Sequence, residues 1–440
     1  MRVHSYFQPR RSFTSISLVI IFVFLSGCTL GRRSVESIPT VDENATNETK
    51  ALFMNLWILA DTDQTLFGHQ DDLAYGVGWS GVPGRSDVLE ASVSDEFEIA
   101  GSYPAVYGWD VSGIGLGGPT NVDGVAYDEI RDWIIEGYQR GSVITISWHM
   151  TNPVTGENFY DRTSAVSTIL PGGANHAEYI DWLDAFAEFD RSLTVSGVPW
   201  NENEHQIPVI FRPFHEHNCR FFWWGRRVPE APNENATEDE YIELWQFTVE
   251  YLRDQADLHN LIYAYSPSAR CIHRDNLADG RVDDLASFQT EYFYAYPGDD
   301  YVDVLGLDNY ADVELYHLGA YMNLLDYLVE TANQYDETDD PDDPNDPYGL
   351  KIPALTETGG QQWSYPAFSS WWTNFLYPAL IGTRSSGGQV AWVLTWRNTE
   401  EAYHHAPYAG GPSAENFAKF KDKPMIHFED EIPFNLYTWP

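Results

Sequence analysis

The sequence predicts an α/β fold, a single (β/α)₈ TIM barrel. Eight short apolar runs recur along the chain, long segments with helical periodicity separate most of them, and each run ends in polar or aromatic residues. The runs are residues 65–69, 104–110, 143–149, 208–216, 261–268, 302–310, 352–357 and 390–396. Alternating runs of this kind are typical of strands joined by helices around a closed parallel sheet.

The segments between the runs predict the helices that cover such a barrel. Residues 179–189 and 316–330 carry apolar side chains three and four positions apart, as one helix face requires. The active sites of these barrels lie at the carboxyl ends of the strands, so the run ends are the candidate site residues. They are His69, Trp109, Asp110, Trp148, His149, His215, Glu216, Ser266, Asp308, Tyr310, Glu357, Trp396 and Arg397.

The first residues predict an export signal. A basic segment precedes the apolar residues 16–25, which are far fewer than the roughly 20 needed to span a bilayer, so residues 1–27 are interpreted as a signal peptide. The segment Leu25-Ser26-Gly27-Cys28 resembles the lipobox of bacterial lipoproteins, which implies an acylated Cys28. Residues 28–46 are polar and predict a flexible tether, followed by the barrel domain at 47–440. Because Thr29 rather than Asp follows Cys28, we expect a lipid anchor in the bacterial cell envelope, at the outer membrane or cell surface.

The charge excludes some classes of partner. The chain has 66 Asp and Glu against 25 Lys and Arg, a net charge of -41, which repels nucleic acid and favours a neutral substrate. The same excess can serve solubility in salty surroundings. The thirteen histidines form no HExxH pattern, so we expect neither a metal nor a cofactor, and membrane contact only through the lipid anchor of a monomer.

Two further cysteines follow the fourth and fifth predicted strands. Cys219 and Cys271 would therefore lie on neighbouring loops at one rim, and an exported protein permits oxidation. A disulfide and two free buried thiols both remain open.

Two glutamates occupy the ends of the fourth and seventh predicted strands. Glu216 and Glu357 can face each other across the barrel, and two carboxyls about 5 Å apart catalyse glycoside hydrolysis with retention, through a covalent glycosyl-enzyme. That chemistry needs one protonated and one ionised acid. Candidate partners for these acids are Arg212, His149, His215 and Tyr310. Aromatic residues that could line a sugar cleft are Phe221, Phe222, Trp223, Trp224 and Trp396.

At these motifs the sequence resembles glycoside hydrolase family 26, of the β-mannanase type. The likeness covers roughly residues 64–407. It rests on Phe67-Gly68-His69-Gln70, Ser147-Trp148-His149, Arg212-Pro213-Phe214-His215-Glu216, Phe222-Trp223-Trp224-Gly225, YVDVLGLDNY at 301–310, Thr356-Glu357-Thr358-Gly359 and Thr395-Trp396-Arg397-Asn398.

The resemblance implies a role for each matching residue. Glu216 is then the acid/base and Glu357 the nucleophile, which Tyr310 orients. His149 and Asp308 are expected to contact sugar hydroxyls. Further substrate contacts implied are His215, where related groups carry Asn, Trp396 as a floor under the sugar, Arg397 beside it, and Phe221 and Trp224. Phe221 and Cys219 depart from the family pattern, which usually has Trp and often Gly there, so the leaving-group side of the cleft is altered.

The function that follows is retaining endo-hydrolysis of β-1,4-mannosidic bonds in mannan, glucomannan, galactomannan or mannooligosaccharides. An exo-acting mannanase that releases mannobiose, and a β-1,3-xylanase or mixed-linkage β-glucanase of the same family, remain open alternatives. A surface lipoprotein that only binds glycan is a further alternative, against which both acids and their partners are present.

Overall fold

The barrel is visible in a computed structural model that describes residues 38–80, 94–275, 284–310, 318–338, 350–360, 369–399 and 404–440. The predicted signal peptide and Cys28 lie outside these residues. Strands form where the apolar runs are, because their alternate residues fill the barrel interior and the layer beneath the helices. They are β1 (Thr65–Gln70), β2 (Val106–Asp110), β3 (Val143–Trp148), β4 (Val209–Pro213), β5 (Leu261–Tyr265), β6 (Val304–Asp308), β7 (Ile352–Thr358) and β8 (Trp392–Thr395).

These strands pair in parallel in chain order, and β8 closes the sheet onto β1. In the closing pair Leu66 lies opposite Trp392 and His69 opposite Thr395. A short strand, β9 (Ile426–His427), adds to the amino-terminal half of β1. The predicted (β/α)₈ barrel is confirmed.

Helices surround the sheet and cover its outer face. They are α1 (Asn47–Asp61), α2 (Asp95–Ala100), α3 (Tyr127–Gln139), α4 (Val166–Ile169), α5 (His176–Arg191), α6 (Glu238–Glu250), α7 (Ala269–Asp275), α8 (Leu285–Tyr292), α9 (Leu318–Thr338), α10 (Tyr377–Gly382) and α11 (Ala414–Lys421). In α6 the side chains of Thr237 and Glu240 cap each other's backbone N–H groups, which satisfies donors that the first helical turn leaves unpaired. Among the residues that the structure describes, none of the helices has both the length and the apolar character needed to cross a membrane.

Residues 38–46 pack against the barrel, although the sequence predicts a flexible tether over 28–46. Ile38 belongs to the hydrophobic core. The backbone N–H of Val41 donates to Oδ1 of Asp303 at 2.8 Å, and Nδ1 of His259 contacts Oδ2 of Asp42 at 2.7 Å. The described part of the predicted tether, residues 38–46, is therefore folded, since one apolar side chain and two polar contacts hold it against the barrel.

Strand β7 contains one extra residue beside the barrel centre. Leu355 pairs with Leu307, but Glu357 pairs with the next residue, Asp308, and the pairing with β8 shifts at the same place. Such a bulge interrupts the alternation of side chains between the two faces of a strand. The consecutive Thr356 and Glu357 can therefore both reach polar groups of the site described below.

Candidate active site

A cavity of about 340 Å³ opens at the carboxyl ends of the barrel strands. Most of its walls come from the predicted run ends and from the loops that follow them. The lining residues are His149, Tyr160, His215, Glu216, Phe221, Phe222, Ser268, Arg270, Asp308, Tyr310, Glu357, Trp396 and His405. Both predicted carboxyls therefore face the same space.

Glu216 lies in a turn beyond β4, not in the strand as the sequence predicted. The strand ends at Pro213, which has no N–H for the sheet, and Phe214 and Glu216 then take left-handed backbone angles of φ 50° and 54°. Residues other than glycine adopt this backbone conformation rarely, and such residues are enriched at functional sites. The backbone N–H of Glu216 donates to the carbonyl of Ser266 at 2.9 Å, which ties the turn to the end of β5.

The environment of Glu216 favours its protonated form. Burial and then the nearby charge of Glu357 raise the pKa of Glu216 to about 7, against a hydrogen bond from the Ser268 hydroxyl and the positive charge of Arg212. A carboxylic acid with this pKa still holds its proton in a large share of molecules at neutral pH. Glu216 is therefore suited to donate a proton.

Glu357 accepts hydrogen bonds on both oxygens. Tyr310 donates its hydroxyl to Oε2 at 2.7 Å, and Nη2 of Arg212 donates to Oε1. Burial and the adjacent Glu357 charge raise the pKa of Tyr310 well above its usual value, so the phenol remains a donor. A carboxylate held by a cation and a phenol is positioned as a nucleophile.

Arg212 is the buried cation of the site and also contacts a second carboxyl. Its Nη1 donates to Oδ2 of Asp308 at 3.0 Å, while Thr356 donates its hydroxyl to Oδ1 of Asp308 at 2.7 Å. Burial raises the pKa of Asp308 well above its usual range against the pull of Arg212, and the charges of Glu357 and Glu216 add to the rise. The single positive charge of Arg212 thus lies near three carboxyl groups, those of Glu357, Asp308 and Glu216. Because one positive charge cannot neutralise three negative ones, protonation is favoured for the carboxyl groups that it does not neutralise.

Gly306 on β6 makes room for this group. A Cβ on Gly306 would lie 2.7 Å from Cγ2 of Thr356 and 2.9 Å from Cβ of Ser266, closer than side chains approach one another. The absence of a side chain at this position lets Thr356 reach Asp308.

Two histidines complete the floor beside the carboxyls. Burial, with Arg212 and His149 nearby, lowers the pKa of His215 well below its usual value, so this imidazole is neutral. Nε2 of His215 lies 3.9 Å from Oε1 of Glu357. Nδ1 of His149 contacts Oδ2 of Asp110 at 2.7 Å. Burial opposes ionisation of Asp110, but His149 and the hydrogen bonds from Ser112 outweigh it and lower the pKa of Asp110 to about 2, so Nδ1 is the donor.

The aromatic residues divide into two groups. Trp396, Phe221 and Phe222 line the cavity as predicted for sugar contacts. Trp224 does not: it is fully buried and donates Nε1–H to the carbonyl of His215 at 2.9 Å. Trp224 is therefore not part of the cavity lining, and its ring supports the loop beneath His215 instead.

Arg397 is likewise not among the residues that line the cavity. It forms an ion pair with Asp123 and donates Nη1–H to the hydroxyl of Tyr75 at 2.8 Å. Its guanidinium lies 5.9 Å from the ring centroid of Trp396. Arg397 therefore lies beside the Trp396 wall, and its predicted contact with the sugar chain stays a prediction.

Cys219 and Cys271 are bonded in a disulfide, with their Cα atoms 5.5 Å apart. Of the two states that the sequence left open, the structure has the oxidised one. The bond joins the loop after β4 to helix α7, which follows β5.

Three cavity residues were not singled out from the sequence. Tyr160 and Ser268 lie on loops and Arg270 lies in the first turn of α7, all three or more residues past the strands that precede them. Ser268 closes the fifth predicted run, which was a usable signal. Tyr160 and Arg270 depend on the path of the chain beyond the strand, which no periodicity in the sequence indicates.

One group of described residues has the donor types of a metal site. His69, Asp72 and Glu96 are buried, with ligand-type atoms within 4.8 Å of one another. Nδ1 of His69 lies 3.0 Å from Oδ1 of Asp72 and 2.7 Å from Oε2 of Glu96. These are hydrogen-bond distances, and burial is outweighed by the two carboxyls, which raise the pKa of His69 to about 10. An imidazolium between two carboxyl groups accounts for the cluster.

Comparison with known proteins agrees with this geometry. The sequence model described as glycosyl hydrolase family 26 matches residues 41–342. A mannan endo-1,4-beta-mannosidase of Bifidobacterium adolescentis is 30% identical over 416 residues, which are 91% of this chain. The chain spans only 36% of the length of that relative.

Solved structures also resemble this chain, over nearly their whole length. A GH26 beta-mannanase from Bacteroides ovatus is 34% identical with a TM-score of 0.70, and the match covers 89% of this chain and 98% of that one. GH26C from a Muricauda species is 30% identical with a TM-score of 0.73, over 91% and 96% of the two chains.

Proposed function

The chain belongs to glycosyl hydrolase family 26, and we propose that it cleaves internal β-1,4-mannosidic bonds in mannan, glucomannan or galactomannan with retention of configuration. One observation carries the proposal. Two carboxyl groups line one cavity: Glu216 favours its protonated form, and Glu357 is a carboxylate that Arg212 and Tyr310 hold in place. The relatives named as mannan endo-1,4-beta-mannosidases support mannan as the substrate.

In the first step, Glu216 transfers its proton to the glycosidic oxygen while Glu357 attacks the anomeric carbon. The bond to the leaving sugar breaks and an ester to Glu357 forms. The donors from Tyr310 and Arg212 hold Glu357 in place for attack. His149, His215 and Asp308 line the same cavity and can bind hydroxyls of the reacting sugar.

In the second step, Glu216 takes a proton from water, which attacks the anomeric carbon and releases Glu357. The switch of Glu216 from acid to base has a physical cause in this site. Burial and the Glu357 charge raise the pKa of Glu216, and ester formation removes the second of these causes. The pKa of Glu216 therefore falls when a base is needed.

The first test is product analysis over time on mannohexaose and galactomannan. We expect early internal cuts, with a rapid loss of polymer viscosity, and a β-configured reducing end in the first product seen by NMR. Early release of mannobiose alone from one chain end would indicate exo action. Cleavage of β-1,3-xylan or mixed-linkage β-glucan with mannan left intact would contradict the proposed substrate.

We also propose that the protein is a monomer anchored to the bacterial envelope through an acylated Cys28. This location is supported by the basic residues near the start of the chain, the short apolar segment that follows them, and the sequence Leu25-Ser26-Gly27-Cys28. Two lipid chains on one cysteine give stable membrane attachment, which a single chain does not.

Replacing Cys28 by alanine is expected to abolish incorporation of radioactive palmitate in expressing bacteria, because the acylated sulfur is lost. A Cys219→Ala variant is the matched control and should incorporate label as the wild type does, since Cys219 is joined to Cys271. Label that persists in the Cys28 variant would contradict the anchor.

A further inference from the structure

Two cavity-lining residues follow closely in sequence on the acid and on its hydrogen-bond partner. Phe221 follows Glu216 by five positions on the loop after β4, and Arg270, in the first turn of α7, follows Ser268, whose hydroxyl bonds to Glu216, by two positions. The group that protonates the leaving oxygen must face the leaving sugar. Phe221 and Arg270 therefore border the leaving-group side of the cavity.

Arg270 presents its charge to this side. The side chain is exposed, and its guanidinium carbon lies 5.6 Å from the ring centroid of Phe221. None of the described carboxyl groups forms an ion pair with Arg270, although the chain carries 66 acidic residues against 25 basic ones. When the flat face of a guanidinium packs against an aromatic ring, the five N–H groups at its edge remain available to oxygen acceptors.

Two separate links join the segments that carry these residues. The disulfide joins Cys219, two positions before Phe221, to Cys271, directly after Arg270. The side chain of Asn218 donates to the carbonyl of Ser268 at 2.9 Å and accepts from the N–H of Ser268 at 2.8 Å. The amide pair holds Ser268 next to Glu216, whereas the disulfide acts on the backbone next to Arg270.

We propose that Arg270 is a specificity-determining residue that donates hydrogen bonds to hydroxyl oxygens of the sugar on the leaving-group side. The Cys219–Cys271 disulfide positions Arg270 against Phe221 for this contact. The inference rests on the proposed glycosidase function. It assigns a role to Arg270, which lies outside the sequence motifs and is not one of the two catalytic carboxyl residues.

The test compares two substrates that both place mannose units ahead of the cleaved bond and differ in the group that leaves. In mannohexaose a sugar leaves, and in an aryl β-mannobioside an activated phenol leaves in its place. Arg270→Ala should lower kcat/KM about tenfold on mannohexaose, as expected for losing a hydrogen bond to a charged donor, and change it less than twofold on the aryl substrate. Arg226→Ala is the matched control, since Arg226 stacks on Tyr294 at 4.2 Å outside the cavity lining, and it should leave the ratio of the two rates unchanged.

The disulfide is tested by a Cys219→Ala/Cys271→Ala double variant, and by mild reduction of folded wild-type protein should the double variant not fold. Either should show the same selective loss on mannohexaose, and adding Arg270→Ala should cause no further loss. Equal losses on both substrates in Arg270→Ala, or no loss on either, would overturn the role of Arg270. A wild type that cleaves neither substrate would overturn the proposed function itself, which is a different result.

Discussion

Replacing Glu357 by alanine is expected to lower kcat on mannooligosaccharides by on the order of 10⁴-fold or more, because no other group can form the glycosyl-enzyme. Its two oxygens accept from Tyr310 and Arg212, and removing the carboxylate leaves both donors facing a small gap. Steady-state kinetics on mannohexaose, with circular dichroism to confirm folding, measures the loss.

Azide separates loss of a nucleophile from general damage to the site. In Glu357→Ala, azide can enter the gap and attack the anomeric carbon of an activated aryl mannobioside, giving an α-glycosyl azide of inverted configuration. Asp308→Asn is the matched control, because it removes the other carboxylate partner of Arg212 and keeps Glu357. This control should not be rescued by azide. A Glu357→Ala variant that retained a tenth of the wild-type rate would rule out the nucleophile role.

Much of the fold could be predicted from sequence because a parallel barrel leaves a strong local pattern. Each buried strand is a short apolar run, and the active-site end is marked by the residues that close it. Glu357, Asp308 and His149 are close to the ends of β7, β6 and β3, so strand counting alone placed them at one rim.

The rest depended on contacts that are distant in sequence. Trp224 and Arg397 belong to motifs at the rim, and the resemblance implied sugar contacts for both. Their hydrogen bonds and ion pair with His215, Asp123 and Tyr75 place them outside the cavity lining. The disulfide stayed open for the same reason, since Cys219 and Cys271 meet only through the path of two loops.

The balance of charge in the cavity explains how one site keeps two acids in different states. Arg212 bonds to Glu357 and Asp308, while burial and the Glu357 charge act on Glu216. The cation thus supports the nucleophile, and the ionised nucleophile in turn holds the proton on the acid. Any change that neutralises Glu357 should therefore lower the pKa of Glu216.

The acid role of Glu216 predicts a distinct pattern in Glu216→Ala. On mannooligosaccharides kcat should fall by about 10²- to 10⁴-fold, because the leaving sugar is a poor leaving group without a proton. An aryl mannobioside with an acidic phenol needs no proton, so the ester to Glu357 still forms and then accumulates, seen as a burst of phenol. Azide attacks this ester without a base and should release a β-glycosyl azide, of configuration opposite to that from Glu357→Ala.

The pH dependence follows from the same residue. The pKa of Glu216 is raised to about 7, so the proton required for the first step is present below that pH and lost above it. In the wild type, kcat/KM on mannohexaose should therefore fall toward tenfold per unit above about pH 7. Glu216→Gln keeps the shape of the side chain and cannot ionise, so this alkaline limb should be missing from its residual activity. An unchanged limb in that variant would assign the titration, and with it the acid role, to another group.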